Sequence, residues 1–389
     1  MKLRKLGALA LAAVLAVSLA GCGKDKKDDG KGNIKIGANF EMTGSNASFG
    51  SSSMKGVKLA VKQINAAGGV LGRQLEVMEQ DNASKSEEAT RAAQKLVADG
   101  AVALIGPVTT GDTMGAVPVA MEKKVPLITT SATNPKVTVD EKTGKVNDWI
   151  FRACFIDPFQ GEVMANFSSN DLKAKTAVVY VDASSDYSKG LQKFFKQTFE
   201  KNGGKIVGEE AFQVNDTDFK AVLTRIKEKN PDVLYVPGYY NEVGKIVKQA
   251  RELGITIPIL GGDGWDSPKL VEIAGKDALN NTFISNHYSA SDSSKEIVDF
   301  VTAYKADNNN ELPDALAALG YDAVKLLADA LTRAGSTDSE KLKEALASTK
   351  DLKLATGTIT LNENHDPVKS AVVLEYKDGV QTFKTKINP

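Results

Sequence analysis

From Ile34 onward, short β-branched runs alternate with amphipathic stretches of helical period, and no other feature restricts the fold as much. Strand, helix, strand in regular succession is the pattern of βαβ units, which build parallel sheets covered by helices. "IKIGANF" (Ile34 to Phe40) is the first expected strand. A helix follows in which Val57, Ala60, Val61 and Ile64 fall at i, i+3, i+4 and i+7, with Lys55, Lys58 and Lys62 on the opposite face. "AAGG" (Ala66 to Gly69) stops it. The rhythm predicts a strand in "QLEVMEQ", a helix from about Glu87 to Ala98, a strand in "AVALIGP", a short helix from about Asp112 and a strand from Val125.

Near "WIFRACFIDPFQG" (Trp149 to Gly161) the rhythm restarts. "TAVVYVD" (Thr176 to Asp182) reads as a strand, and Leu191, Phe194, Phe195 and Phe199 keep helical spacing after it. The stretch "FEKNGGKIVGEEAF" echoes the earlier "INAAGGVLGRQLEV": helix end, double glycine, strand. Strands are expected in "DVLYVPG" and "IPILGG", helices from about Ser294 to Ala334, and a β-rich end after Leu352. With 389 residues the chain exceeds one ordinary core and suits two similar lobes. If the Ser294 to Ala334 helices return to the first lobe, the chain crosses between lobes several times, which makes a hinge.

The first residues stand apart. "MKLRKLGALALAAVLAVSLAGC" has a basic start and then an apolar run, Leu6 to Ala20, too short and Ala-rich for a membrane span, so it reads as a secretion signal. The charged segment "GKDKKDDGKGN" after Cys22 has no apolar residue with which to fold and is expected to be a flexible tether. Only Cys154 remains beyond Cys22, so no intramolecular disulfide is available to the exported domain. Basic and acidic residues balance at 49 each, which gives no electrostatic footprint for nucleic acid.

Enzyme and metal signatures are absent from the sequence. There is no HExxH, CxxC pair, EF-hand loop, GxxxxGK[ST], GxGxxG or GxSxG. The two histidines, His287 and His365, lie in expected loops and read as solvated. Three stretches invite a ligand. "LIGPVTTGDT" (Leu104 to Thr113) ends a strand in two threonines before a helix, whose free N–H groups suit a carboxylate, although Thr110 or Asp112 as a plain helix cap explains it equally. "SATNP" (Ser131 to Pro135) puts hydroxyls at a strand end, where turn chemistry is the simpler reading. "LGGDGWDSP" flanks Asp263 with glycines that permit close approach of another molecule, against the plainer reading of a tight turn with a solvated acid.

Taken in order, "MTGSNASFGSSSMKGVKLAVKQINAAGGVLGRQLEV", "LIGPVTT", "SATNP", "DPFQG", "DYSKGL", "GYYNE", "GGDGWDS" and "GYDAVKLLADAL" resemble the leucine/isoleucine/valine-binding proteins of ABC transporters for branched-chain amino acids. The resemblance implies a type I periplasmic-binding-protein fold, an α/β architecture of two doubly wound lobes with parallel sheets joined by a multi-crossover hinge. It divides the chain into a signal (1–21), a tether (22–33), an N-terminal lobe (34–156 with 287–360) and a C-terminal lobe (157–286 with 361–389). Leu19-Ala20-Gly21-Cys22 is similar to a lipobox, which implies acylation of Cys22 and an extracytoplasmic, lipid-anchored protein.

The same resemblance implies no catalysis, metal or cofactor, and a monomer that binds leucine, isoleucine or valine between its lobes and serves a membrane permease with its ATPase. The implied ligand site comprises Phe49, Thr109, Thr110, Ser131, Ala132, Thr133, Tyr187, Tyr239 and Asp263. Thr110 stands where the family binds the carboxylate, Ser131 offers its carbonyl and Thr133 its hydroxyl and N–H to the head group, and Asp263 replaces a Glu that pairs with the ammonium. Phe49, Tyr187 and Tyr239 surround the ligand. Three departures accompany this pattern: Asp263 is one methylene shorter than Glu, Phe49 lacks the hydroxyl of a common Tyr, and Leu316 lies near the place of an aromatic wall. A receptor for another small polar molecule such as a different amino acid, an amide or urea, a sensor for a membrane kinase, and a cleft enzyme are the alternatives.

Overall fold

A computed structural model describes residues 32–388. The expected signal, Cys22 and nearly all of the tether lie outside the described residues. The first sheet is built from β1 (Ile34–Phe40), α1 (Ala47–Ala66), β2 (Leu75–Asp81), α2 (Ser86–Ala98), β3 (Ala103–Ile105), α3 (Thr110–Lys123), β4 (Leu127–Thr129) and β5 (Ile150–Arg152). Its order is β2-β1-β3-β4-β5, and every pairing is parallel. Six of the seven residues of β1 are buried, on both faces, as a parallel strand between helices requires. β3 stops at Ile105 because Gly106 has φ +86° and Pro107 has no N–H for a ladder.

A second sheet follows with α4 (Asp157–Asn170), β6 (Thr176–Asp182), α5 (Asp186–Lys201), β7 (Lys205–Phe212), α6 (Lys220–Glu228), β8 (Val233–Tyr235), α7 (Tyr240–Glu252), β9 (Ile259–Gly261), α8 (Pro268–Ala274) and β10 (Thr282–Asn286). Alternate residues of β6 serve different cores: Ala177 and Val179 pack with α4 and α5 residues such as Met164 and Phe195, whereas Val178 and Tyr180 pack with Leu223 and Val243 of α6 and α7. Helices therefore cover both faces.

The double-glycine echo is a shared device. After α1 the N–H of Gly69 reaches back to Ile64 O at 2.9 Å, and after α5 that of Gly204 reaches Phe199 O at 2.9 Å. Both are the six-to-one closing bond of a helix C-terminus.

The chain then returns to the first sheet. α9 (Lys295–Asp307) and α10 (Ala315–Ala334) lie against α1, and α11 (Ser339–Ala347) packs on α10. A small antiparallel sheet of β11 (Leu352–Leu354), β12 (Gly357–Leu361) and β13 (Pro367–Val368) precedes β14 (Ala371–Lys377) and β15 (Val380–Ile387), which run antiparallel at the edge of the second sheet. The second sheet thus reads β15-β14-β10-β9-β8-β6-β7. Between the sheets the chain passes three times: after Arg152, after Asn286 and before Ala371.

The amphipathic stripe of α1 accounts for only part of its burial. Val57, Ala60 and Ile64 are buried while Val61 is half-buried, yet Ser53, Met54, Gly56 and Leu59 are buried as well. They are covered from a second side by α10, which no local periodicity announces.

Candidate functional site

The carboxyl ends of the parallel strands in both sheets meet across a cleft, and the loops that follow them supply its walls. Phe49 lies in the first turn of α1, Val108 and Thr109 follow β3, Ser131 follows β4, Tyr187 begins α5, Tyr239 precedes α7, and Asp263 and Gly264 follow β9. With Leu316 from the start of α10 these residues line one cavity with about 250 Å³ of space free of protein atoms. Thr110, Ala132 and Thr133, adjacent in the same loops, are buried. Loops of the two sheets are in direct contact around it: Ser48 Oγ lies 2.7 Å from Ser267 Oγ, Tyr240 donates to Ser45 O at 2.9 Å and Asn134 Nδ2 to Asp186 O at 2.9 Å.

Aromatic rings form one wall. Tyr187 and Tyr239 stack with centroids 5.0 Å apart and planes 7° from parallel, and Phe49 meets Tyr239 edge-on at 5.6 Å. The Tyr187 hydroxyl donates to Asp263 Oδ1 at 2.7 Å and accepts from Gly264 N at 3.0 Å.

Asp263 is not the solvated turn residue that the sequence also allowed. It opens a 3₁₀ turn, Asp263–Trp265, and is 3% exposed, because Trp265 is buried beneath Gly261 and draws the turn inward. Gly262 and Gly264 make that position possible: a Cβ on Gly262 would lie 2.7 Å from Tyr187 Oη, and one on Gly264 2.7 Å from Gly238 O. Asp263 Oδ2 accepts from Ser131 Oγ across the cleft at 3.2 Å and lies 2.9 Å from His287 Nε2. Its N–H donates to Gln160 Oε1 at 2.8 Å. Burial favours the protonated acid, but the hydrogen bonds from His287 and Tyr187 outweigh it and hold this carboxyl below its ordinary value.

The reading of both histidines as solvated is overturned. The His287 side chain is wholly buried and stacks on Phe155 with centroids 3.8 Å apart. His365 stacks on Phe151 at 4.3 Å, with Nδ1 3.0 Å from Ile150 O. Both follow or precede short polar runs that resemble loops, and their partners, Phe155 and Asp263 for His287 and Phe151 and Ile150 for His365, are distant in sequence.

On the opposite side, Thr109 rather than Thr110 or Asp112 caps α3: its Oγ1 accepts from Asp112 N at 3.3 Å, so the helix begins two residues earlier than predicted. Beneath this end, the buried Glu41 carboxyl accepts the N–H groups of Val108 at 3.2 Å and Thr109 at 3.0 Å. Burial, and then the charge of Asp112, push Glu41 well above the usual carboxylate range, while the N–H of Thr109 pulls the other way.

The hydroxyls of Thr110 and Thr133 are buried without a hydrogen-bond partner. So are both carboxyl oxygens of Asp157, the Nε2 of Gln160 and the Nδ1 of His287. Buried polar atoms are ordinarily paired, and this many orphans about one cleft mark a place where another molecule completes the bonding. Among the described residues, no group of three or more His, Cys, Asp or Glu is arranged to hold a metal ion.

The fold and cleft together define a type I periplasmic-binding-protein architecture, and the chain belongs to that family: the model described as "Periplasmic binding protein" matches residues 33–381. It is accordingly an extracytoplasmic solute-binding protein and not an enzyme. More particular likeness comes from individual relatives. A Leu/Ile/Val-binding protein homolog of Brucella melitensis is 32% identical over 384 residues, covering 97% of this chain and 98% of that protein. A leucine-binding protein of Thermotoga maritima, solved as a crystal structure, superposes with a TM-score of 0.85 at 39% identity, over 92% of this chain and 99% of that one. The branched-chain amino acid transporter substrate-binding protein of Streptococcus pneumoniae, solved in complex with isoleucine, also gives 0.85, at 41% identity over 92% and 100% of the two chains.

Proposed function

We propose that the protein captures an aliphatic amino acid, with leucine, isoleucine or valine as its ligands, between two hinged lobes and delivers it to an ABC permease driven by a separate ATPase. The observation that carries this reading is the opposition of chemistries about one small cavity. An ionised, buried Asp263 stands on one side; on the other are a helix N-terminus and, buried next to the lining residues Thr109 and Ser131 but not themselves in the cavity wall, the hydroxyls of Thr110 and Thr133. A zwitterion satisfies both. Its carboxylate takes Thr110 and the α3 N–H groups; its ammonium takes Asp263, the Ser131 carbonyl and Thr133. Phe49, Tyr239, Val108 and Leu316 offer apolar surface to the side chain. An amide or urea leaves the charge of Asp263 unanswered.

Each charge-assisted hydrogen bond contributes roughly 1.5 to 3 kcal/mol and a buried aliphatic side chain about as much. After the cost of association, binding near micromolar, about −8 kcal/mol, is within reach. In this reading the lobes are 34–156 with 287–360 and 157–286 with 361–389, and contacts from both sides favour the closed state. The protein acts as a monomer, and acylated Cys22 holds it to the membrane. Calorimetry with the common L-amino acids tests the reading: aliphatic ones bind, and Asp263→Asn weakens binding at least tenfold. Equal heats from acetamide or urea, or unchanged affinity in Asp263→Asn, would refute it. Cys22→Ser releases the protein from the membrane fraction if the anchor is real, and an unchanged fraction removes it.

A further inference from the structure

We propose that His287 is a positioning residue that aims Asp263 at the ligand and that its protonation weakens amino-acid capture, an inference that rests on the function proposed above. The geometry is specific. Nε2 stands 2.9 Å from Asp263 Oδ2, Phe155 covers a face of the ring, and Nδ1 has no partner in a fully buried setting. An orphaned lone pair on Nδ1 is tolerable; an orphaned cationic N–H there is far more costly. The neutral ring with its proton on Nε2 is therefore the resting form, in keeping with a histidine whose proton affinity burial has lowered. In that form it donates to Asp263, fixes the carboxylate's rotation together with Tyr187, and leaves the site one full negative charge for an ammonium.

Protonation reverses this. An imidazolium beside Asp263 cancels the charge that an ammonium needs and repels the ammonium itself. The neighbours that face the pair do not mask the effect between pH 7 and pH 5. Lys369, buried and bound to Thr356, has its proton affinity lowered by burial to about 8, so it stays cationic throughout. Asp157 on α4, raised by burial to about 8, and Cys154, raised to about 12, stay neutral. Tyr187 on α5 keeps its proton. Asp266, in the turn after Asp263, faces away: its Oδ2 accepts from Asn286 Nδ2 and Ala315 N, and its Oδ1 from Gln381. His287 also begins the second passage between the sheets, directly after β10, so its charge state is set where the chain bends.

The test is calorimetric titration of L-leucine at pH 7.0 and 5.0 with the wild-type chain and with His287→Gln, which keeps a donor but has no proton to gain. Affinity of the wild type is expected to be lower at pH 5.0 than at pH 7.0, approaching a fall of about tenfold only as pH drops below the His287 midpoint, which burial places under its ordinary value. The variant is expected to bind a few-fold more weakly at pH 7.0 yet to change less than about threefold with pH. Parallel falls in both proteins overturn the role of His287 alone. Absence of heat from every amino acid at pH 7.0 overturns instead the function it rests on. Should the variant fold poorly, imidazole NMR of the wild type decides, since the chain has only two histidines. A tenfold coupling requires leucine to lower the titration midpoint of His287 by about one unit, by reciprocity. An unmoved midpoint overturns the proposal.

Discussion

Gly56 of α1 and Gly320 of α10 mark a crossing at which the two helices touch backbone to backbone. A Cβ on Gly56 would stand 1.9 Å from Ala317 O, and one on Gly320 would stand 2.3 Å from Ser53 O. Around them Ser53 Oγ donates to Leu316 O at 3.2 Å, and Tyr321 Oη to Gln63 Oε1 at 2.7 Å. Because the obstacles are carbonyl oxygens, no rotamer change relieves them. Gly56→Ala and Gly320→Ala are each expected to cost about 3 kcal/mol in urea denaturation, the upper end of overpacking. Together they should cost less than their sum, since either alone forces the same helices apart. Additive losses would mean that the two sites do not share one crossing.

The two orphaned hydroxyls predict effects of opposite sign. Thr110→Val and Thr133→Val preserve shape and remove a buried hydroxyl; that of Thr110 has no partner in the protein, and that of Thr133 faces the Asp157 carboxyl outside good hydrogen-bonding geometry. Without ligand each variant is expected to be as stable as the wild type or more stable by about 1 kcal/mol, whereas its affinity for leucine falls about tenfold. Thermal melts with and without leucine measure both. A loss of unliganded stability in either variant would show that its hydroxyl is already bonded.

Arg152 ties the Ser131–Asn134 loop to the segment before β14. Its Nη1 donates to Ala132 O at 2.5 Å and its Nη2 to Asn134 O at 3.1 Å and Thr138 Oγ1 at 2.8 Å. Nε stands 2.7 Å from Asp366 Oδ1, close enough for an ion pair but off the hydrogen-bonding direction. Both side chains are almost fully buried. Arg152→Met strands Asp366 and is expected to lose about 3 to 5 kcal/mol of stability. Adding Asp366→Asn to that variant should recover part of the loss, and denaturation curves showing no recovery would refute the pairing.

Asp157 makes stability depend on pH in a definite direction. Burial raises its carboxyl to about 8, so the folded state holds a proton that the unfolded chain releases above its ordinary value, about 3.9. Between these limits the group destabilises the fold progressively as pH rises, and below them the effect vanishes. Asp157→Asn is therefore expected to raise the melting temperature at pH 7.5 and to leave it nearly unchanged at pH 4. A larger gain at pH 4 would reverse the assignment.

How much could be read beforehand depended on where the physics is local. The bounds of β1 and β6 coincide with the runs "IKIGANF" and "TAVVYVD", since a strand buried on both faces is rich in apolar and β-branched residues, as β6 is throughout its middle and β1 is at Ile34, Ile36, Ala38 and Phe40. β8 and β9 shrink to three residues because Pro and Gly follow or precede the ladder closely. Phe49, Thr109, Ser131, Tyr187, Tyr239 and Asp263 line one cavity, and in the sequence it is motif order, not periodicity, that points to them. Glu41, Arg152, Asp157 and His287 stayed illegible. Burial of a charge depends on partners far away in sequence, and nothing adjacent to these residues distinguishes them from surface acids and bases.

The crossing of α1 with α10 also fixes an order of events for a chain made from its N-terminus. Every strand of the first sheet has been synthesised once Arg152 is in place, but the face of α1 around Ser53 and Gly56 has no cover until residues 315–334 exist. All of β6 to β10 is made in between. The lobe that begins first therefore finishes late, and a nascent chain stopped anywhere between the two carries an open seam along α1.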